Sequence, residues 1–381
     1  MKRRILITLL ILPCIQAFAQ EKTNSELKWQ GYLDFYYQSS PQAHRVTSTT
    51  TNGPEVIEGR YFDRHINQMT LNMAELSLQK TTGRTNFRID LAAGEMVDQL
   101  SGGSSQAATA LTPTNPAANE PTRNITQAII SYKLKDDLTL SAGKFYTHMG
   151  LEVTKAKDNW QYSRSYTYNY GIPFWHEGLS LNYLVIPEKF STTLYVLNAW
   201  DGRISQEQNK STTLGANLNY TGFKDLTLNY NFIGGAESNS DGQRQVHELN
   251  VTYAISDKYA VAFDGIFGEQ QKAPTVGNAK WNALAIYLKA KISNIYTFSP
   301  RYEVFDDSDQ GFAVSGGLTA VGVKQKITSV TLANNFTLDD GLEARLELRS
   351  DKSDSNSYFL NKDHSASDHQ ESYAVALLYS F

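Results

Sequence analysis

Ser141-Ala-Gly-Lys144 spells S-x-x-K, the letters of a serine nucleophile activated by a lysine. That chemistry needs the two side chains together, as they are one helical turn apart. In an extended strand an odd separation sends them to opposite faces, and LTLSAG (138–143) alternates as a strand does. His247 is the second residue to weigh, because an outward histidine beside a serine could attack a lipid ester. By parity with Leu249, Val251 and Tyr253 it faces outward, but the neighbouring strands offer Phe232, Gly234, Gly265 and Phe267 at that height. None is a serine, so His247 reads as a lone interfacial histidine. No H-E-x-x-H, phosphate-binding loop or G-x-S-x-G is spelled, and the other histidines scatter through expected loops. Cys14 is the only cysteine. Catalytic residues, metal ligands and cofactor sites are therefore not expected.

The chemistry that remains is charge at period two. In LEARLELRS (342–350), Glu343, Arg345, Glu347 and Arg349 oppose Leu342, Ala344, Leu346 and Leu348. The same parity adds Arg301 and Glu303, Arg88 and Asp90, Asp34 and Asp264. Glu75 joins them, although LNMAEL breaks the alternation around Met73 and Ala74. Such a set is either an ordinary solvated sheet face or the lining of a water-filled lumen, where opposite charges two residues apart shape a transverse field. We read it as pore-lining. Both signs are present, so strong ion selectivity is not expected.

The elements that hold these residues are strands. GYLDFYY (31–37), TNFRIDLA (85–92) and LTLNYNF (226–232) alternate in the same way, and helical periodicity is scarce. About sixteen strands can be drawn, with fourteen to eighteen as the range. Their connectors run long, short, long, short: 39–66, TTGR, 94–123, KDD, 146–176, IPEK, and onward through a Gly/Pro-containing 268–280. A sandwich has no reason to keep that rhythm, whereas an up-and-down antiparallel barrel requires it, with long extracellular loops and short periplasmic turns.

The first residues agree with export. Lys2, Arg3 and Arg4 precede an apolar run from Ile5 to Ile15 and an Ala17-Phe18-Ala19 cleavage site. We expect a signal peptide over 1–19 and a single barrel domain over 20–381. Lipidation at Cys14 is disfavoured by Pro13 before it. Without Lys2, Arg3 and Arg4, the 35 basic residues fall to 32 against 39 acidic ones, so no nucleic-acid partner is expected. No later stretch reaches the roughly 18 apolar residues of a membrane helix. Aromatics make up 12% of the chain, with 22 tyrosines, as the interfacial girdles of a membrane barrel would need.

The last strand, QESYAVALLYSF, sets Tyr373, Val375, Leu377, Tyr379 and Phe381 on one face. That face suits lipid, and the terminal aromatic looks like the signal read by the barrel-assembly machinery; a soluble edge strand is the alternative.

Three stretches carry a resemblance: GYLDFYYQ (31–38), LNMAELSLQK (71–80) and AGKFYTHMGLEVTKAKDNWQYSRSYTYNYGIPFWHEGLSLNY (142–183). They resemble the putative beta-barrel porin-2, OmpL-like family of outer-membrane proteins. The resemblance implies a porin-like barrel in the outer membrane that passes small hydrophilic solutes, and it brings no catalytic residues. Sixteen-stranded general porins are commonly homotrimers, though nothing in the chain marks an interface. The alternative is a non-conducting surface barrel whose long loops serve adhesion or structure.

One connector stands apart. Residues 146–176 hold Lys155, Lys157, Asp158, Trp160, Tyr162, Arg164, Tyr166, Tyr168 and Tyr170, then Pro173-Phe174-Trp175. So much aromatic surface is a poor thing to leave in water. Covering the outer rim or a partner would bury it, but we expect the loop to enter the lumen as a constriction. Lys155, Lys157 and Arg164 would then face acidic wall residues.

Overall fold

The computed structural model describes residues 26–45, 55–102, 122–201, 211–237, 242–273, 276–314, 323–356 and 358–381. The expected signal peptide lies outside the described residues. Sixteen antiparallel strands form one closed barrel. They are β1 (Lys28–Ser39), β2 (Met69–Thr82), β3 (Thr85–Ala93), β4 (Ile125–Lys135), β5 (Leu138–Tyr146), β6 (Trp175–Ile186), β7 (Phe190–Leu197) and β8 (Thr213–Phe223). There follow β9 (Leu226–Ala236), β10 (Gln243–Ala254), β11 (Tyr259–Ala273), β12 (Gly277–Lys291), β13 (Tyr296–Asp306), β14 (Lys326–Asp339), β15 (Leu342–Ser353) and β16 (His369–Ser380).

Each strand pairs with its neighbour in sequence, and β1 closes on β16 in a register running from Tyr32 opposite Ser380 to Ser39 opposite Tyr373. Closure removes the free edges that an open sheet would leave unpaired. Period-two patterning decides the faces. Leu33, Phe35 and Tyr37 are exposed on the outside, while Tyr32, Asp34 and Tyr36 are buried inside. In β16, Tyr373, Val375, Leu377 and Tyr379 are exposed, whereas Ser372, Ala374, Ala376 and Leu378 are buried. Phe381 completes the seam: its carbonyl accepts from Gly31 N at 3.1 Å and its N donates to Gly31 O at 3.2 Å. A Cβ on Gly31 would come within 2.1 Å of the Phe381 ring, so the aromatic terminus sits over a bare glycine.

Two local departures from the sequence reading have physical causes. The β1–β2 register shifts between Asp34 and Phe35, opposite Met73 and Leu71. This bulge at Asn72 lets both Asn72 and Met73 point inward, and Glu75 regains the interior face beyond it. The connector expected over 268–280 is largely strand, since β11 runs to Ala273 and β12 resumes at Gly277. The small, polar residues that suggested a loop there instead pair as an extended hairpin.

Candidate functional site: a loop held inside the barrel

Between β5 and β6 the chain leaves the wall and folds inward over 147–174, with Thr147 N donating to Phe174 O at its base. Two short helical turns, Ala156–Asp158 and Thr167–Gly171, shape it. From Gln161 to Asn169 every residue is buried. What holds it is the charged ladder. Glu347 accepts from Tyr162 N at 2.7 Å and from Ser163 N at 3.1 Å, and Glu303 accepts from Tyr166 N at 2.7 Å. In return Arg345 donates to Ala156 O and Gln161 O, Arg349 to Arg164 O at 2.7 Å, and Arg301 to Ser163 O at 2.8 Å. Carboxylates thus take N–H groups of the loop and guanidinium forks take its carbonyls, pairing backbone groups that burial would otherwise leave without water.

The expected residues land as follows. Asp34 accepts from the Tyr162 hydroxyl at 2.9 Å. Glu75 accepts from Lys155 at 2.7 Å, and Arg88 forks onto Asp90. Asp264 is buried on β11, and Glu343 pairs with Arg345 at 3.1 Å. Trp160 meets Tyr287 edge-on, its centroid 6.5 Å away. Tyr166 lies under Arg349 and stacks on Tyr170.

Two of the three loop cations find other partners than the expected acidic wall. Lys157 pairs with Asp158 of its own loop at 3.0 Å. Arg164 turns inward and donates to the carbonyls of Tyr162 and Thr154, bracing the loop against itself.

Sequence reasoning missed several participants. Glu152 takes Arg301 at 2.6 Å, and Glu248 accepts from Gly150 N. Asp351 binds Arg349 at 2.7 Å. Alternation could have found two of them: Asp351 continues the ladder one step beyond Arg349, and Glu248 alternates with Leu249. The first long connector also enters the mouth. Arg60 pairs with Asp63 and donates to Ser372 at 2.9 Å, while Phe62 packs on Phe174 with centroids 4.9 Å apart. The long connector 94–123 begins with helix α1 (Glu95–Gly102), which buries Met96, Val97 and Leu100 and pairs Glu95 with His65 at 2.8 Å.

The interior is divided. Towards the long-loop rim, Tyr61, Phe62, Tyr168 and Phe174 join Leu197, Trp200, Ile233 and Val246 in one apolar cluster that reaches from β1 across to β10. His148, stacked on Tyr195 at 4.2 Å, belongs to this level; burial pushes it down to about 4, so it is neutral at pH 7. A cavity of about 500 Å³ lies beside the loop, lined by Arg88, Gln127, Tyr146, Lys155, Lys157 and Asp158 and bordered by Met149 and Tyr168 of the cluster. Ser141 and Lys144 do not meet: Ser141 donates to Ser131 and Lys144 to Thr122 O. His247 faces outward and bonds the Tyr230 hydroxyl at 2.7 Å.

Comparison with known proteins adds the family. The family described as putative beta-barrel porin-2, OmpL-like matches residues 26–381. No curated protein matches the chain. Among solved structures, the anion-selective porin of Comamonas acidovorans superposes with TM-score 0.59 at 11% identity, covering 93% of this chain and 99% of that one. The outer-membrane channel DcaP of Acinetobacter baumannii gives 0.58 at 10%, covering 93% and 97%. OmpT of Vibrio cholerae gives 0.56 at 12%, covering 95% and 100%. At these identities the likeness speaks for the fold.

Proposed function

The chain belongs to the putative beta-barrel porin-2, OmpL-like family, a porin-like barrel of the outer membrane, and from that premise we propose that it is a passive channel for small hydrophilic solutes. One observation carries this reading. The inserted loop occupies only part of the lumen and leaves a cavity of about 500 Å³ beside it, lined by charged, polar and apolar side chains. In this reading the short turns face the periplasm, the long loops face outside, and the loop 146–176 is the constriction. The charges of the ladder hold that constriction in place.

Purified protein in a planar bilayer should give discrete conductance steps. The same preparation should migrate differently in dodecyl sulfate before and after boiling, because a closed barrel opens only at high cost. Repeated insertion of heat-modifiable protein without any step would sink the channel reading. A second reading, a non-conducting surface barrel working through its loops, is favoured by the apolar cluster across the upper lumen. Silence of both the native chain and a loop-deleted form would select it.

The partners follow from the faces. Lipid covers the outward aromatic and aliphatic set. A homotrimer is our expectation, since in-vitro folded OmpT of Vibrio cholerae is known in a trimer form. The barrel-assembly machinery would read the closing strand. Removing Phe381, or replacing Phe381 and Tyr379 by Ser, deletes the ring over Gly31 and is expected to lower assembled protein several-fold while export continues. Surface abundance measured by protease accessibility decides it; unchanged abundance would make the terminal aromatic incidental.

A further inference from the structure

We propose, building on the channel reading, that solutes travel along the uncharged wall between β4 and β9 and that the channel favours small, uncharged, hydroxyl-rich molecules over ions. The two halves of the interior differ in chemistry. Around β13–β16 the inward side chains are Arg301, Glu303, Arg345, Glu347 and Arg349, each at most 3% exposed beneath the loop. Around β4–β9 the inward set at mid-wall is Ser131, Ser141, Asn182, Asn217, Asn219 and Asn229, and all six are half-buried. Half-buried interior surface therefore runs along the neutral wall, beside the cavity that Arg88, Gln127, Lys155, Lys157 and Asp158 line. Lys133 and Lys135 continue the Ser131 face only where it reaches the exposed turn rim.

The neutral side chains bond one another across strands. Ser141 donates to Ser131 at 2.9 Å, Asn182 to Thr193 at 2.9 Å, Asn217 to Asn231 at 2.7 Å and Asn219 to Asn229 at 2.6 Å. An amide has two N–H donors and two carbonyl lone pairs, so a single such bond leaves donors and acceptors for a passing solute. A polyol can exchange its water hydrogen bonds for these nearly one for one. An ion losing hydration beside the same wall meets no opposite charge to compensate it.

The facing surface does not restore an ionic field. The cations that line the cavity each hold a carboxylate: Lys155 of the loop with Glu75 at 2.7 Å, Lys157 of the loop with Asp158 at 3.0 Å and Arg88 of β3 with Asp90 at 2.8 Å. Paired charges of this kind cancel within a few ångströms. The ladder that dominates the charge of the sequence is thus screened from the solute by the loop.

The test uses the full chain in planar bilayers and in liposomes. A salt gradient of potassium chloride should give a reversal potential near zero for the native protein, and liposomes should swell faster in glucose than in gluconate. Asn217→Asp, Asn219→Asp and Asn229→Asp together should shift reversal toward cations, and the three lysine substitutions should shift it toward anions. Shifts of opposite sign cannot come from misfolding. Conducting variants that leave reversal and swelling unchanged would overturn the path assignment while the channel reading stands, as would strong native ion selectivity. Absence of conductance from every form, a loop-deleted one included, would instead remove the channel reading and this inference with it.

Discussion

Replacing residues 155–168 with a short Gly/Ser bridge is expected to raise single-channel conductance several-fold while the barrel stays heat-modifiable. The segment contributes no rung to the barrel, whose strands all pair through β5 and β6 on either side of it. It does contribute Tyr162, Arg164 and Tyr166, each fully buried within the lumen. Their removal replaces packed side chains with water over much of the barrel's cross-section. It also strips the ladder of its partners, since Glu347, Arg345 and Arg349 all bond loop backbone between Ala156 and Arg164. Those charges would then be hydrated, which relieves the desolvation they bear in the native protein. The variant should therefore gain a selectivity that responds to Arg345→Gln and Glu347→Gln, substitutions whose effect the loop masks in the native channel. Conductance and selectivity equal to the native protein's would place the segment outside the conduction path, and the constriction assignment would have to be dropped.

The contrast between wall and loop shows what the residue order makes legible. A strand advertises itself through alternation, because one face meets lipid and the other meets polar groups. LEARLELRS can be assigned a face from its letters alone. LNMAEL shows only that alternation fails around Met73 and Ala74; pairing with β1 is what places the bulge at Asn72. The inserted loop was legible through its aromatics, which water could not accommodate. Its partners were less so. Arg164 looks like a candidate for a wall carboxylate, yet Glu347 and Glu303 take backbone N–H groups, and Arg164 serves carbonyls of its own loop. Backbone groups are not written in side-chain letters, so a site built from them cannot be counted in advance. GRYFDRHI (59–66) hid for another reason: nothing in its letters shows the Arg60–Asp63 contact or the packing of Phe62 on Phe174. Helix α1 had a faint signal in the Met96, Val97 and Leu100 stripe, diluted by the Ala- and Ser-rich residues after it.

Arg349→Leu is expected to destabilise the folded barrel by about 3–5 kcal/mol, the cost of breaking a buried ion pair from one side. Its guanidinium donates to Asp351 at 2.7 Å, to Arg164 O at 2.7 Å and to Ser163 Oγ at 3.2 Å, and lies 3.4 Å from Glu303. Leucine would leave Asp351 and Glu303 facing each other with less positive charge between them, and the Arg164 carbonyl without its donor. Arg349→Lys should recover only part of the loss, because a point charge cannot serve the fork of acceptors. The control is Lys326→Ala, whose pair with Asp306 spans 2.9 Å but is open to solvent, so the change should be small beside that of Arg349→Leu. Guanidinium titrations of heat-modifiable protein in detergent measure all three. The decisive comparison sets Arg349→Leu in the loop-bridged background. There the loop acceptors are gone and water surrounds the ladder, so the cost should fall well below its native value. A coupling of that sign is what a double-mutant cycle reports when two groups bear on one another. If Arg349→Leu costs the same with and without residues 155–168, the ladder does not hold the loop, and the grip that organises this lumen must be sought elsewhere.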